Sequence, residues 1–154
     1  MGLLEKVIED REFAALMQKN IQELIVHFFQ KEQNFGILCR ISDVAFNPPL
    51  PESINAEFRS LTLFFLAGYT FESAYVQDDM LVFEAGFGPE NFGSIVSVPL
   101  LSIMQIIIEE TPVLINLAHY KEKEKLEEQE DTNGIENSMK SFLSNPENSK
   151  FLKK

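Results

Sequence analysis

Two histidines, one cysteine and a few paired acids are the residues in this chain whose types could do chemistry. His27 sits in the run Ile25-Val26-His27-Phe28, and His119 lies far downstream. Neither has a metal-ligand spacing such as His-Glu-x-x-His, so no metal site is expected. His27 is expected to be a partly buried packing residue of a helix rather than a base. Cys39 alternates with Ile37 and Ile41 in a predicted strand, and Arg40 projects to the opposite face. A thiol buried without a cation on its own side stays protonated and inert. Gly86-Phe87-Gly88 ends one strand and leads to another, whereas a dinucleotide loop must open a helix. Asp78-Asp79 reads as a turn and Glu109-Glu110 as a helix end. There is no Gly-x-Ser-x-Gly elbow and no phosphate loop. The chain is expected to be no enzyme and to carry no cofactor.

Charge narrows the class of partner. The 154 residues carry 13 basic and 24 acidic side chains, net −11. Residues 121–154 hold 7 and 8 of these, leaving 6 and 16, net −10, in the first 120. Nucleic-acid affinity depends on Lys and Arg displacing counterions, so such a surface repels phosphate and anionic lipid alike. Neither nucleic acid nor membrane is expected as a partner. No uninterrupted apolar run reaches the length of a membrane span, and the candidate stretch Ile103 to Ile108 is far too short. Glu5, Glu9 and Asp10 stand where a signal peptide would be basic, and one cysteine forms no intrachain disulfide, so a cytoplasmic location is expected.

The elements that would position these residues can be read from periodicity. Residues 3–32 place Leu4, Val7, Ile8, Ile21, Leu24, Ile25 and Phe28 at helical spacing, with a weak point at Asp10-Arg11-Glu12. Such a stripe can pack on the domain or pair with a second copy. Alternation over Phe35–Ser42 predicts a strand, and Asn47-Pro48-Pro49-Leu50-Pro51 breaks regular structure. Further strands are predicted over 61–67, 70–76, 80–87 and 94–98, with a loop from Gly88 to Gly93. Pro99 suits the first turn of a short helix bearing Leu101, Met104, Ile107 and Ile108, which Thr111-Pro112 would end. Residues 113–118 could form a last strand. From Lys121 the Lys-Glu-rich sequence buries too little to offset ordering entropy and predicts a flexible tail. Two apolar-basic clusters near its end, Lys140-Ser141-Phe142-Leu143 and Lys150-Phe151-Leu152-Lys153-Lys154, have the look of docking peptides.

The stretch from Asp78 through Phe83-Glu84-Ala85-Gly86-Phe87-Gly88, followed by Ile95-Val96-Ser97-Val98-Pro99-Leu100-Leu101, resembles the stringent starvation protein B (SspB) family of ClpXP protease adaptors. That family's pattern is a strand ending in an aromatic-Gly-Gly turn, a strand ending Val-Pro, and a short apolar helix. The resemblance covers about residues 20–110. It implies an α+β, mainly β fold, a small open Sm-like barrel. A short helix follows the Val-Pro strand in that fold, and an N-terminal helix makes a homodimer. The divisions it suggests are a helical segment at 1–33, the barrel at 34–120 and the tail at 121–154.

The resemblance also implies a protein or peptide cargo held in a groove. Carried over by position, its candidates are Leu63, Phe65, Ala67, Phe83, Ala85 and Phe87. Phe151, Leu152, Lys153 and Lys154 would dock on the unfoldase ClpX, the tether acting through effective concentration. Pro89 replaces the family's second glycine and the loop is longer, which implies an altered peptide preference. The acidic barrel argues against an acidic tag as cargo. Two other readings stand beside this one: a dimeric interaction or regulatory module with no protease link, and a hot-dog-like acyl-thioester enzyme. The latter needs a helix wrapped by a sheet, whereas here the long helix precedes every strand.

Overall fold

The computed structural model describes residues 2–119. The expectations placed on 121–154, including docking by Phe151, Leu152, Lys153 and Lys154, lie outside the described residues. The N-terminal segment forms two helices, α1 (Leu3–Ile8) and α2 (Arg11–Gln30). They part at Asp10, whose carboxylate accepts a hydrogen bond from Phe13 N at 3.0 Å and caps α2. Ala14, Ile21 and Ile25 are the buried positions of α2, spaced for one helical face. Leu3, Leu4 and Val7 of α1 stay 83%, 64% and 48% exposed, so α1 buries little within this chain.

Among the described residues, eight strands follow: β1 (Phe35–Arg40), β2 (Ala45–Asn47), β3 (Leu61–Leu66), β4 (Tyr75–Gln77), β5 (Met80–Phe87), β6 (Phe92–Pro99), β7 (Ile103–Ile108) and β8 (Thr111–Ile115). They make two antiparallel four-stranded sheets, ordered β3-β1-β7-β8 and β2-β6-β5-β4. Short 3-10 turns at Ile41–Asp43 and Leu100–Ser102 carry the chain from one sheet to the other. β1 pairs with β7 and β2 with β6, so one bent ladder runs through both sheets. The arrangement is α+β and mainly β. The barrel is not closed: β3 and β5 are unpaired to one another, and of the short helices α3 (Glu52–Asn55) and α4 (Tyr69–Glu72) the second touches both.

Polar side chains fasten the two bends together. Arg40 donates to Asp43 Oδ2 at 3.1 Å and to the Leu101 carbonyl at 3.0 Å, and Ser102 Oγ donates to Asp43 Oδ2 at 2.8 Å. Asn116, fully buried, donates to the carbonyls of Leu101 and Ile103 and accepts from Ala118 N. Each satisfies a group that burial would otherwise leave unpaired, at a cost of about 1–3 kcal/mol.

The expected helix after Pro99 does not form. Only the 3-10 turn Leu100–Ser102 occupies its start, and Ile103–Ile108 is strand β7. β-Branched isoleucines favour an extended chain that packs on a pleated surface. The helix-like spacing arises because Cys39 pairs with Ile103 and Leu38 with Gln105, leaving Met104 as an extra residue. Buried Ile103 and Ile106 are therefore three apart within a strand. Thr111-Pro112 starts β8 instead of ending a helix, and Glu109-Glu110 is the β7–β8 turn, with Glu109 at φ 57°. The expected strand over 70–76 divides into α4 (Tyr69–Glu72) and β4 (Tyr75–Gln77).

The core lies between the sheets and under α2. Ile21 and Ile25 meet Ile37, Leu66, Leu81, Val96, Val98 and Ile106 there. Phenylalanines cap it at two places. Phe58 stacks on Phe46 at 5.8 Å and meets Phe87 edge-on at 6.1 Å; Phe28 and Phe29 of α2 contact Phe35, which meets Phe71. Offset and edge-on ring pairs add about 0.5–1.5 kcal/mol each beyond the area buried.

Candidate functional site

The hairpin β5–β6 supplies a concavity on its outer face. Leu81 and Phe83 of β5 point into the core, so Glu84 and Gly86 point outward, since side chains alternate along a strand. Across the ladder Gly86 faces Gly93 and Glu84 faces Ile95, which in turn faces Asn47 of β2. Of these two opposed glycines, Gly86 lies under the Asn91 carboxamide and Gly93 leaves the sheet bare. Tyr69 and Thr70 of α4 rise on one side of the pair, and Asn47 and Pro48 on the other. Together they bound an open trough of ≈ 750 Å³.

Each wall is held by local chemistry. Gly68 takes φ 59°, ψ −128°, a region that only glycine enters freely, and this turns β3 into α4. Thr70 Oγ1 accepts from Ala67 N at 2.9 Å and donates toward the carbonyls of Phe65 and Ala67. Tyr69 is thereby placed to donate its hydroxyl to Glu84 Oε2 at 2.6 Å, and the Glu84 amide donates to Ser73 Oγ at 2.9 Å. This bond and the Glu84 charge push the Tyr69 phenol above its ordinary pKa of 10.0. On the opposite wall, buried Ser94 donates to the Pro48 carbonyl at 2.9 Å and fixes the proline segment against β6.

The six groove positions carried over from the resemblance fall in three places. Ala67 and Ala85 line the trough. Phe83 is 1% exposed and belongs to the core, 5.7 Å from Phe64, while Phe87 joins the inner aromatic cluster with Phe46 and Phe58. Leu63 and Phe65 lie on the outer face of the other sheet, 42% and 59% exposed. There they lean over Gly36, where a β-carbon would sit 3.3 Å from each. Periodicity gave the alternation of β3 and β5 but carried no information on which phase faces solvent beside a wall. Tyr69 and Asn47, which form the walls, carry no periodic signal in the sequence. Gly68 followed by Tyr-Thr was the available signal, a positive-φ turn just after an apolar strand.

The remaining chemistry-bearing residues do not converge on the trough. Cys39 is fully buried, donates weakly to the Thr62 carbonyl, and has its thiol pushed up to about 12, chiefly by burial and then by the Asp43 charge. His27 and His119 are exposed on separate elements, and His119 N donates to the Ile8 carbonyl. Among the described residues, no group of three His, Cys, Asp or Glu side chains is arranged to hold a metal ion, and no helix is long and apolar enough to cross a membrane. No family model, curated protein or solved structure matches the chain.

Proposed function

We propose that this protein is a non-catalytic, protein-binding adaptor that holds an extended peptide in the β5–β6 trough and presents it to an AAA+ protease, ClpXP. The observation that carries the reading is the trough beside Gly93, where nothing stands over the sheet and a foreign main chain can come close to it. The resemblance of Asp78–Gly88 and Ile95–Ile103 to the SspB family supports the protease connection. The exposed apolar face of α1 suits a second copy, with Leu3, Leu4 and Val7 as its contacts. The polar sequence after Lys121, with its apolar-basic clusters, suits a tether whose last residues dock on ClpX.

Deleting Phe151–Lys154 is expected to abolish ClpX binding in surface plasmon resonance and to leave the melting curve of the folded domain unchanged. Undiminished ClpX binding by the shortened chain rules the adaptor reading out. Leu4→Glu is expected to shift the sedimentation coefficient from dimer to monomer, since it places a charge in the apolar contact.

A further inference from the structure

Glu84 is the one charged residue among those lining the trough. Its carboxylate is positioned from two sides: Tyr69 donates to Oε2, and Ser73 holds the backbone. Oε1 takes no hydrogen bond among the described residues. The ring of Tyr69, 62% exposed, stands beside it on the adjoining wall. A carboxylate oxygen next to an open aromatic ring is the pair of groups that receives a lysine or arginine head, one by charge and one through the ring face.

The surroundings have the same sign. No Lys or Arg occurs from Ser60 to His119, whereas α4, β5 and their turns carry Glu72, Asp78, Asp79, Glu84 and Glu90. A surface of one sign concentrates ligands of the other and rejects its own. The floor adds a steric condition. A β-carbon at Gly93 would meet nothing within 4 Å, so the space above it is open to a main chain with small side chains.

We propose that the trough selects a cationic extended segment of a client protein, one in which a Lys or Arg follows or precedes small residues and its head pairs with Glu84 against Tyr69. This rests on the reading of the trough as the cargo site, and it replaces an acidic tag with a basic one.

The test is fluorescence anisotropy with the full chain and three labelled Ala-Ser peptides, bearing paired lysines, glutamines or glutamates. The lysine peptide is expected to bind about tenfold more tightly than the glutamine one, with affinity falling as salt rises, and the glutamate peptide not to bind. Glu84→Gln is expected to erase most of that difference, and Gly93→Val to abolish binding while the melting curve stays cooperative. Equal affinity for all three peptides, or an undiminished preference in Glu84→Gln, overturns the charge selection and leaves the cargo site standing. No binding of any peptide overturns both. A full chain with Lys150, Lys153 and Lys154 changed to Ala that binds the lysine peptide far more tightly than the parent makes this chain's own tail the occupant and overturns the client assignment.

Discussion

The carboxamide of Asn91 lies where a side chain at position 86 would stand. Asn91 takes φ 52° in the β5–β6 turn, and its amide nitrogen donates to the Gly88 carbonyl at 3.1 Å. The turn therefore folds back over one glycine of the pair that floors the trough and leaves the other, Gly93, uncovered.

The two glycines are thus expected to answer differently to a methyl group. Gly86→Ala must swing the carboxamide of exposed Asn91 aside, at about 0.5–1.5 kcal/mol, the cost of forcing a side chain off its rotamer. Gly93→Ala meets no neighbour and has no left-handed φ to strain, so it is expected to be neutral or stabilising by about 0.4–1 kcal/mol. Urea unfolding of both variants checks this; equal losses would show that Asn91 does not cover Gly86 in solution.

Phe83 and Phe65 look alike in the sequence, each on an alternating strand, yet the fold separates them. Phe83 is 1% exposed and packs on Phe64, whereas Phe65 is 59% exposed. Phe83→Ala is expected to cost about 3–5 kcal/mol through transfer and cavity terms. Phe65→Ala is expected to change stability by about 0.5 kcal/mol or less. Chemical denaturation midpoints decide it, and similar losses at the two positions would contradict the assignment of faces.

How far such distinctions were legible depends on whether they are local. The strand Met80–Phe87 and the Asp78-Asp79 turn could be read because alternation and a two-residue turn are short-range signals; both aspartates do take positive φ, at 53° and 62°. β7 could not, because its extra residue Met104 is defined only by the partner strand β1, and it turns a period of two into a spacing of three. The trough escaped for a related reason. Its floor is made by neighbours along one hairpin, but its walls come from the β3–α4 corner and the proline segment after β2. Those approaches are set by the bent ladder, which leaves no periodic trace in Tyr69 or Asn47.

Cys39 gives a pH dependence whose sign follows from its burial. Its thiol is raised from 9.0 to about 12, first by burial and second by the Asp43 charge, with Arg40 opposing. Below pH 9 the thiol is protonated whether the chain is folded or not. As pH rises from about 9 to about 12 the unfolded thiol ionises and the folded one does not. The folded state then loses up to about 1.4 kcal/mol per pH unit from this group. Cys39→Val lacks the ionisation and is expected to lose stability less steeply across that window. Native protein at neutral pH is also expected not to react with a thiol reagent until denaturant is added. Rapid labelling of the native chain would contradict the buried placement.

The bond between Tyr69 and Glu84 can be read directly from tyrosine ionisation. Accepting from the phenol and holding a negative charge beside it, Glu84 keeps Tyr69 protonated above its ordinary pKa of 10.0. The bond's contribution is therefore complete below pH 10.0 and is lost as pH climbs through the raised value. The chain has three tyrosines, Tyr69, Tyr75 and Tyr120, so changing the latter two to Phe leaves one reporter. In that background Glu84→Gln is expected to bring the tyrosinate absorbance midpoint down toward the ordinary value, because the charge is removed. Raising salt in the parent is expected to move it the same way but less, since a 2.6 Å hydrogen bond is screened far less than a distant charge. A midpoint unmoved by Glu84→Gln would mean that the wall of the trough is not tied to its floor. The cation site proposed there would then lose the positioning on which it depends.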